Sequence, residues 1–234
     1  MSISGLFPMD KWDFKSHSIL TALPPEDVSI LTGHMSDQHY SKGEILFRDG
    51  AFPTGIFFIR NGMVKKYKVD KEGREQIIYV ANSGELIGYH AILSEERYPD
   101  SAAALEDCLI AFIPKEDFLE ALHTSKVLSQ RLLKLLSHEF SVFAYNVSYF
   151  AQRSVRERLA TQLVVMREKY KENYLPGMEV AINLSREDLA SLVGTARENI
   201  VRILKDFKVE GLVETRGRKI VVTDVHKLLK VANC

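Results

Sequence analysis

The sequence predicts an α+β chain of three successive parts: an all-β sandwich or barrel, one long helix, and a small helical domain that closes with a hairpin. Three observations carry this. From Tyr40 to Ile113 short β-branched and aromatic runs alternate with glycine-bearing turns, the pattern of many short strands. From Ser125 to Gln152 neither Gly nor Pro interrupts a helical apolar period. After Ser154 two helix signatures meet at Gly194, and a basic hairpin, LVETRGRKIVVTD, follows them.

With 234 residues, 46% hydrophobic and 26% charged, the chain can bury a substantial core. No apolar run reaches the ~18 residues of a membrane span. The opening MSISGLFPMDKWDF lacks a basic region followed by an apolar one, so a cytoplasmic protein without membrane association is expected. Cys108 and Cys234 offer neither a disulfide framework nor metal-ligand spacing. Residues 1–150 carry 15 Lys+Arg against 20 Asp+Glu, whereas 151–234 carry 16 against 11. The basic C-terminal part suits a polyanion, although such an asymmetry needs a motif beside it.

Taken in order, PPEDVSILTGHM has Pro and acids in a first turn and reads as a short helix. In the β region, GIFFIR and MVKKYKV flank Asn61-Gly62, which suits a hairpin turn, and Glu72-Gly73 does the same before REQIIYV. KEDFLEALHT is a short helix. On the long helix Leu133, Leu136, Phe140, Phe143, Val147 and Phe150 step by 3 and 4, a coiled-coil seam, and Leu128, Leu132, Leu135, Val142 and Tyr149 form a second stripe. Such a helix is either a core helix of one domain or packs on its own β domain by one stripe and on a second subunit by the other. The latter implies a parallel homodimer. Ser154 with Glu157 makes a capping box, Ser185 with Asp188 a weaker one, and Gly211 stops the second short helix. The expected division is 1–123 for the β domain with its flanking helices, 124–152 for the long helix and 153–234 for the rest.

Leu189, Ala190, Leu192 and Val193, then Ile200, Ile203, Leu204 and Phe207, give two apolar helix faces joined at Gly194, a helix-turn-helix pattern. Arg197, Glu198 and Arg202 lie away from the second face. Arg can donate two bonds to guanine O6 and N7, and Glu can accept from cytosine N4, so they are the candidates for reading G·C edges in the major groove. Ser185, Arg186, Thr195, Asn199, Arg218 and Lys219 are the candidates for backbone contacts, with Arg216 beside them. The plain alternative is a surface Glu198–Arg202 pair worth ~0.3–0.5 kcal/mol.

With these motifs in order along nearly the whole chain, the sequence resembles the cyclic-AMP receptor protein/fumarate-nitrate-reduction regulator (CRP/FNR) family of bacterial transcription factors. GTARENIVRIL is similar to the family's recognition helix, and Arg197, Glu198 and Arg202 match its base-reading positions. The resemblance implies an N-terminal β-roll of the cyclic-nucleotide-binding, jelly-roll kind, a long dimerisation helix and a C-terminal winged helix-turn-helix. It also implies a homodimer on a two-fold-symmetric operator in double-stranded DNA, a half-site like that of the cyclic-AMP receptor, and RNA polymerase as partner, with the loop KENYLPGME where relatives touch polymerase.

The sensing end departs from the family. In LIGYHAILSEERYPDSAA, Gly88 and Ser101 remain from the phosphate cassette, but Tyr89 stands where a Glu is expected and Asp100 where an Arg is expected. A carboxylate facing the cyclic phosphate repels it, so cyclic AMP is not the expected effector, with Arg97 as an alternative cation. The expected pocket residues are Gly88, Tyr89, His90, Ala91, Asp100, Ser101, Phe143 and Ala144. No cofactor is predicted: an iron–sulfur cluster needs several N-terminal cysteines, which are absent, and haem ligation by His90 stands as an alternative to a plain pocket-wall histidine. Either a non-nucleotide ligand fills a reshaped pocket, or the pocket fills itself. The seven His show no catalytic spacing, so an enzyme is not expected. A cyclic-nucleotide-type regulatory module without its own DNA specificity is the remaining alternative.

Overall fold

The computed structural model describes residues 3, 5–171 and 179–233. By contacts the chain divides into Phe14–Ser141 and a second unit made of Met1–Asp13 with Val142–Cys234. The division falls inside the long helix instead of at its ends, and the first 13 residues go with the C-terminal unit. Most of KENYLPGME lies outside the described residues. Among the described residues no helix is long and apolar enough to cross a membrane.

In the first unit, α1 (Pro25–Thr32) precedes β1 (Ser36–Tyr40), β2 (Ile45–Phe47), β3 (Gly55–Asn61), β4 (Val64–Val69), β5 (Glu75–Ala81) and β6 (Leu86–Ile87). Then come α2 (Tyr89–Leu93), β7 (Ser101–Ala104), β8 (Cys108–Pro114), α3 (Lys115–Thr124) and the long α4 (Lys126–Gln152). The strands form two antiparallel four-stranded sheets, ordered β1-β8-β3-β6 and β2-β7-β4-β5. The expected hairpin at Glu72-Gly73 is present, since β4 pairs with β5. The one at Asn61-Gly62 is not: β3 and β4 belong to different sheets. Gly62 has φ +99°, and a Cβ there would lie 2.5 Å from Cys108 Sγ, so the chain passes close over β8 and crosses between sheets. That crossing lets both sheets share one core.

Leu128, Leu132 and Leu135 of α4 join a buried cluster with Ile56, Leu86, Ile113 and Phe118. The second stripe continues buried at Val142 and Tyr149. The first stripe behaves differently: Leu133, Phe140 and Val147 are 68, 75 and 71% exposed, while Leu136, Phe143 and Phe150 are half-buried. The two stripes thus have separate environments, one inside and one facing outward.

The second unit contains α5 (Val155–Lys171), β9 (Ala181–Ile182), α6 (Arg186–Val193), α7 (Arg197–Val209), β10 (Val213–Arg216), β11 (Lys219–Val222) and α8 (Val225–Ala232), with sheet order β10-β11-β9. The corner between α4 and α5 is built on Tyr149, whose hydroxyl bonds Thr161 and donates to the Ala232 carbonyl at 3.2 Å. Trp12 packs edge-on to Tyr145 and Tyr149, with centroids 5.6 and 5.0 Å away. The capping box forms as the spacing predicts: the Ser154 amide and hydroxyl donate to Glu157 at 2.8 and 2.7 Å.

The Ser154 hydroxyl, then its amide, then the Asn233 side chain hold the Glu157 carboxyl down at about 2. A carboxylate whose folded pKa lies below its ordinary 4.5 stabilises the fold above that value and loses the contribution as pH falls toward 2. Acid unfolding followed by circular dichroism should therefore show a limb between pH 4.5 and 2 that flattens in Glu157→Gln. An identical limb in the variant would show that the cap does not contribute.

Candidate functional site

Ser185 caps α6, its hydroxyl accepting the Asp188 amide at 2.9 Å. Gly194 ends α6 in the left-handed region at φ 70°, which sets the tight turn into α7. α7 buries Ile200, Ile203, Leu204 and Phe207 and leaves Arg197, Glu198 and Arg202 exposed on the far side. These three are brought to one solvent-facing surface. Arg197 Nε pairs with Glu187 Oε1 of α6 at 2.7 Å, an exposed contact of the kind that contributes little by itself.

The candidates for backbone contacts divide. Arg218 and Lys219 are exposed at the tip of the β10–β11 hairpin. Arg186 instead braces that tip, donating to the carbonyls of Arg218 and Gly217 at 3.2 and 3.3 Å. Asn199 donates to Thr195 Oγ1 at 3.0 Å, and the Ser185 hydroxyl is engaged as the cap. Arg216 is paired with Glu179 and Glu214. Arg218 and Lys219 are therefore the hairpin cations presented outward.

In the first unit, Gly88 (φ +90°) turns the chain into α2, where Tyr89 is buried. Its hydroxyl bonds the Glu139 carboxylate of α4, and His90 Nε2 lies 2.7 Å from the other Glu139 oxygen. Burial first, and then the Glu139 charge, push the Tyr89 hydroxyl well above its ordinary range, so it stays a donor. Asp100 faces a cation, Lys66 Nζ of β4, at 3.2 Å, with both side chains buried. Ser101 Oγ accepts the Asp49 amide at 2.9 Å. The hollow between Lys66, Gly88, His90, Ala91, Tyr98 and Asp100 measures about 10 Å³, room for about one water.

Arg97 is exposed, stacked 3.8 Å from the Phe52 ring centroid and bonded to the Gly50 carbonyl. It does not line the hollow. Phe143 and Ala144 belong to the other unit. Haem does not fit this arrangement: His90 Nε2 is committed to Glu139, and the hollow is far smaller than a macrocycle. Among the described residues no group of three or more His, Cys, Asp or Glu is placed to hold a metal ion.

Sequence reasoning missed Lys66 and Glu139. A signal existed for the second: Glu139 falls between Leu135 and Val142 at the step of the buried stripe, so a carboxylate interrupts an apolar face. Lys66 gave no comparable sign, being one lysine of three in VKKYKV.

Residues 37–125 match the cyclic nucleotide-binding domain family, and residues 157–231 match the Crp-like helix-turn-helix domain. Electron transport regulator A of Shewanella oneidensis is 28% identical over 187 residues, covering 80% of this chain and 74% of the relative. The fumarate and nitrate reduction regulatory protein of Escherichia coli is 27% identical over 191 residues, covering 82% and 76%. A crystal structure of a putative regulator of the crp/fnr family from Eubacterium rectale superposes with TM-score 0.73 at 23% identity, covering 91% of this chain and 96% of that one, which shows a shared fold. Since both domains occur here in one chain, joined by the long α4 and aligned with named regulators across four fifths of its length, the protein belongs to the CRP/FNR family of transcription regulators.

Proposed function

We propose that this regulator is a sequence-specific DNA-binding homodimer whose sensor hollow is filled from within, so that cyclic AMP is not its effector. In this reading residues 1–123 form the sensor, 124–152 the dimerisation helix and 153–234 the DNA-binding part. The exposed Arg197, Glu198 and Arg202 on α7 carry it: a helix-turn-helix fixes their helix, and their donors and acceptors suit G·C edges. Arg218 and Lys219 at the hairpin tip anchor the flanking phosphates. Leu133, Phe140 and Val147 supply the subunit seam, which presents two reading helices to half-sites about one turn apart on a two-fold operator. RNA polymerase is the further partner this reading requires.

The internal pair Lys66–Asp100 supports the closed hollow. A cyclic phosphate entering there would have to separate a buried ion pair and face Asp100, a cost of several kcal/mol. Glu139 then links α2 directly to α4, so the state of the hollow reaches the long helix without a ligand between them.

Mobility shifts test the reading roles. Arg202→Ala should cost ~1–3 kcal/mol and relax preference at one base pair, whereas Lys219→Ala should weaken all sequences alike and reduce the salt slope by about one. Indistinguishable effects from the two would refute the division into reading and anchoring. Calorimetry with cyclic AMP should register no binding, and micromolar affinity would overturn the closed hollow.

A further inference from the structure

We infer that Trp12 is a positioning residue for DNA recognition: with the rest of the N-terminal arm it clamps the corner between α4 and α5, and so sets where each subunit presents α7. The inference rests on the reading above, in which two α7 helices meet a two-fold operator. Ile3, Phe7 and Trp12 are buried, and they are buried with the C-terminal unit from which 128 residues of sequence separate them. The arm is wound tightly on itself. The Trp12 and Asp13 amides both donate to the Met9 carbonyl, at 2.9 and 3.1 Å, and Phe7 stacks on Trp12. It also touches both helices of the corner. On α4, Trp12 stands edge-on to Tyr145 and Tyr149, and Lys11 Nζ lies 4.7 Å from the Tyr145 ring centroid. On α5, the buried Lys169 Nζ lies 3.9 Å from the Asp13 carboxylate.

These contacts bear on the path from the subunit seam to the reading helix. Val147 and Phe150 of the seam lie on the last turns of α4, on either side of Tyr149. The Tyr149 hydroxyl meets Thr161 of α5 and lies 3.3 and 3.2 Å from the carbonyls of Glu157 and Ala232. Arg158 of α5 donates to the Phe150 carbonyl at 3.2 Å and to the Gly194 carbonyl at 3.1 Å. One side chain thus joins the end of α4 to the turn before α7. A change of angle at this corner therefore moves α7 relative to the seam. Truncating an indole beside Tyr149 leaves a cavity that its surroundings refill only in part, which frees that angle. The helix-turn-helix itself should survive, because α6 and α7 bury their apolar faces in their own unit and away from the arm's contacts.

Half-site spacing tells a clamp from a plain stabilising contact. One added base pair turns a half-site about 34° relative to the other and moves it about 3.4 Å, so a dimer with a fixed corner accepts one spacing. The test uses mobility shifts of the full-length protein on the operator it enriches from a random pool. That duplex is compared with versions whose central spacer is one or two base pairs shorter or longer, and with a single half-site. The wild type should prefer one spacing by about ten-fold or more. Trp12→Ala should bind the best operator about ten-fold more weakly, keep its single half-site affinity within about two-fold, and accept the altered spacers almost as well. Trp12→Phe, which keeps an aromatic ring against Tyr149, should recover most of the spacing preference. An unchanged spacing preference in Trp12→Ala, or equal losses on the half-site and the full operator, would overturn the role of Trp12. A wild type indifferent to spacing would refute the two-fold reading itself, and the inference with it.

Discussion

Phe140→Glu should convert the protein to a monomer and lower its affinity for a two-half-site operator by roughly 100-fold or more, the scale expected when an effective concentration is lost. Phe140 is 75% exposed, and its neighbours along the seam, Leu133 and Val147, are 68 and 71% exposed, so among the described residues these three side chains are left largely uncovered. A glutamate there suits an exposed helix position, and the subunit itself should fold normally by circular dichroism. In a two-fold seam the substitution places two carboxylates against each other and removes two aromatic rings, each worth about 2 kcal/mol of burial. A monomer retains α7 and binds one half-site with the same base preferences, only more weakly. Sedimentation and mobility shift together decide the matter: a dimeric Phe140→Glu protein with unaltered operator binding would show that the partner seat lies elsewhere.

Glu139→Ala should destabilise the sandwich unit by about 2–4 kcal/mol in urea denaturation, combining a lost buried acceptor with a small cavity. Glu139 is 2% exposed and receives the Tyr89 hydroxyl on one oxygen and His90 on the other. Without it the Tyr89 hydroxyl, itself 1% exposed, has lost its acceptor in a dry core. Glu139→Gln keeps the shape and one carbonyl acceptor and should recover most of the loss. Because the carboxylate joins α2 to α4, the alanine variant should also show faster amide exchange across Tyr89–Leu93 than across β3. Uniform protection in both segments, or a loss below 1 kcal/mol, would mean that the contact is incidental.

How much of this could be read in advance depends on the kind of signal. The helix ends were legible because caps are local: Ser154 with Glu157 and Ser185 with Asp188 declare themselves within four residues. The exposed face of α7 was legible for the same reason, since the helix separates Ile200 and Ile203 from Arg197 and Arg202 by period alone. The crossing at Gly62 was not. A glycine after asparagine signals a left-handed turn, but whether the next strand returns along its neighbour or passes to the opposite sheet depends on packing against Cys108, 46 residues later. The hollow was partly legible. Asp100 stood out as a carboxylate where the family resemblance implies an arginine, yet its cation, Lys66, comes from β4, 34 residues earlier, and is indistinguishable in sequence from its lysine neighbours. Buried pairs between distant strands leave no periodic trace.

Trp12 gives this chain an optical property of its own. It is the single tryptophan, 4% exposed, with an indole nitrogen that meets no hydrogen-bond partner among the described residues and two tyrosine rings set edge-on against it. A buried indole emits at shorter wavelength than an exposed one and collects excitation energy from tyrosines a few ångströms away. Tryptophan emission from the unlabelled protein, excited at wavelengths that tyrosine does not absorb, therefore reports one place, the corner between α4 and α5, and a red shift on adding DNA would mean that this corner opens to water.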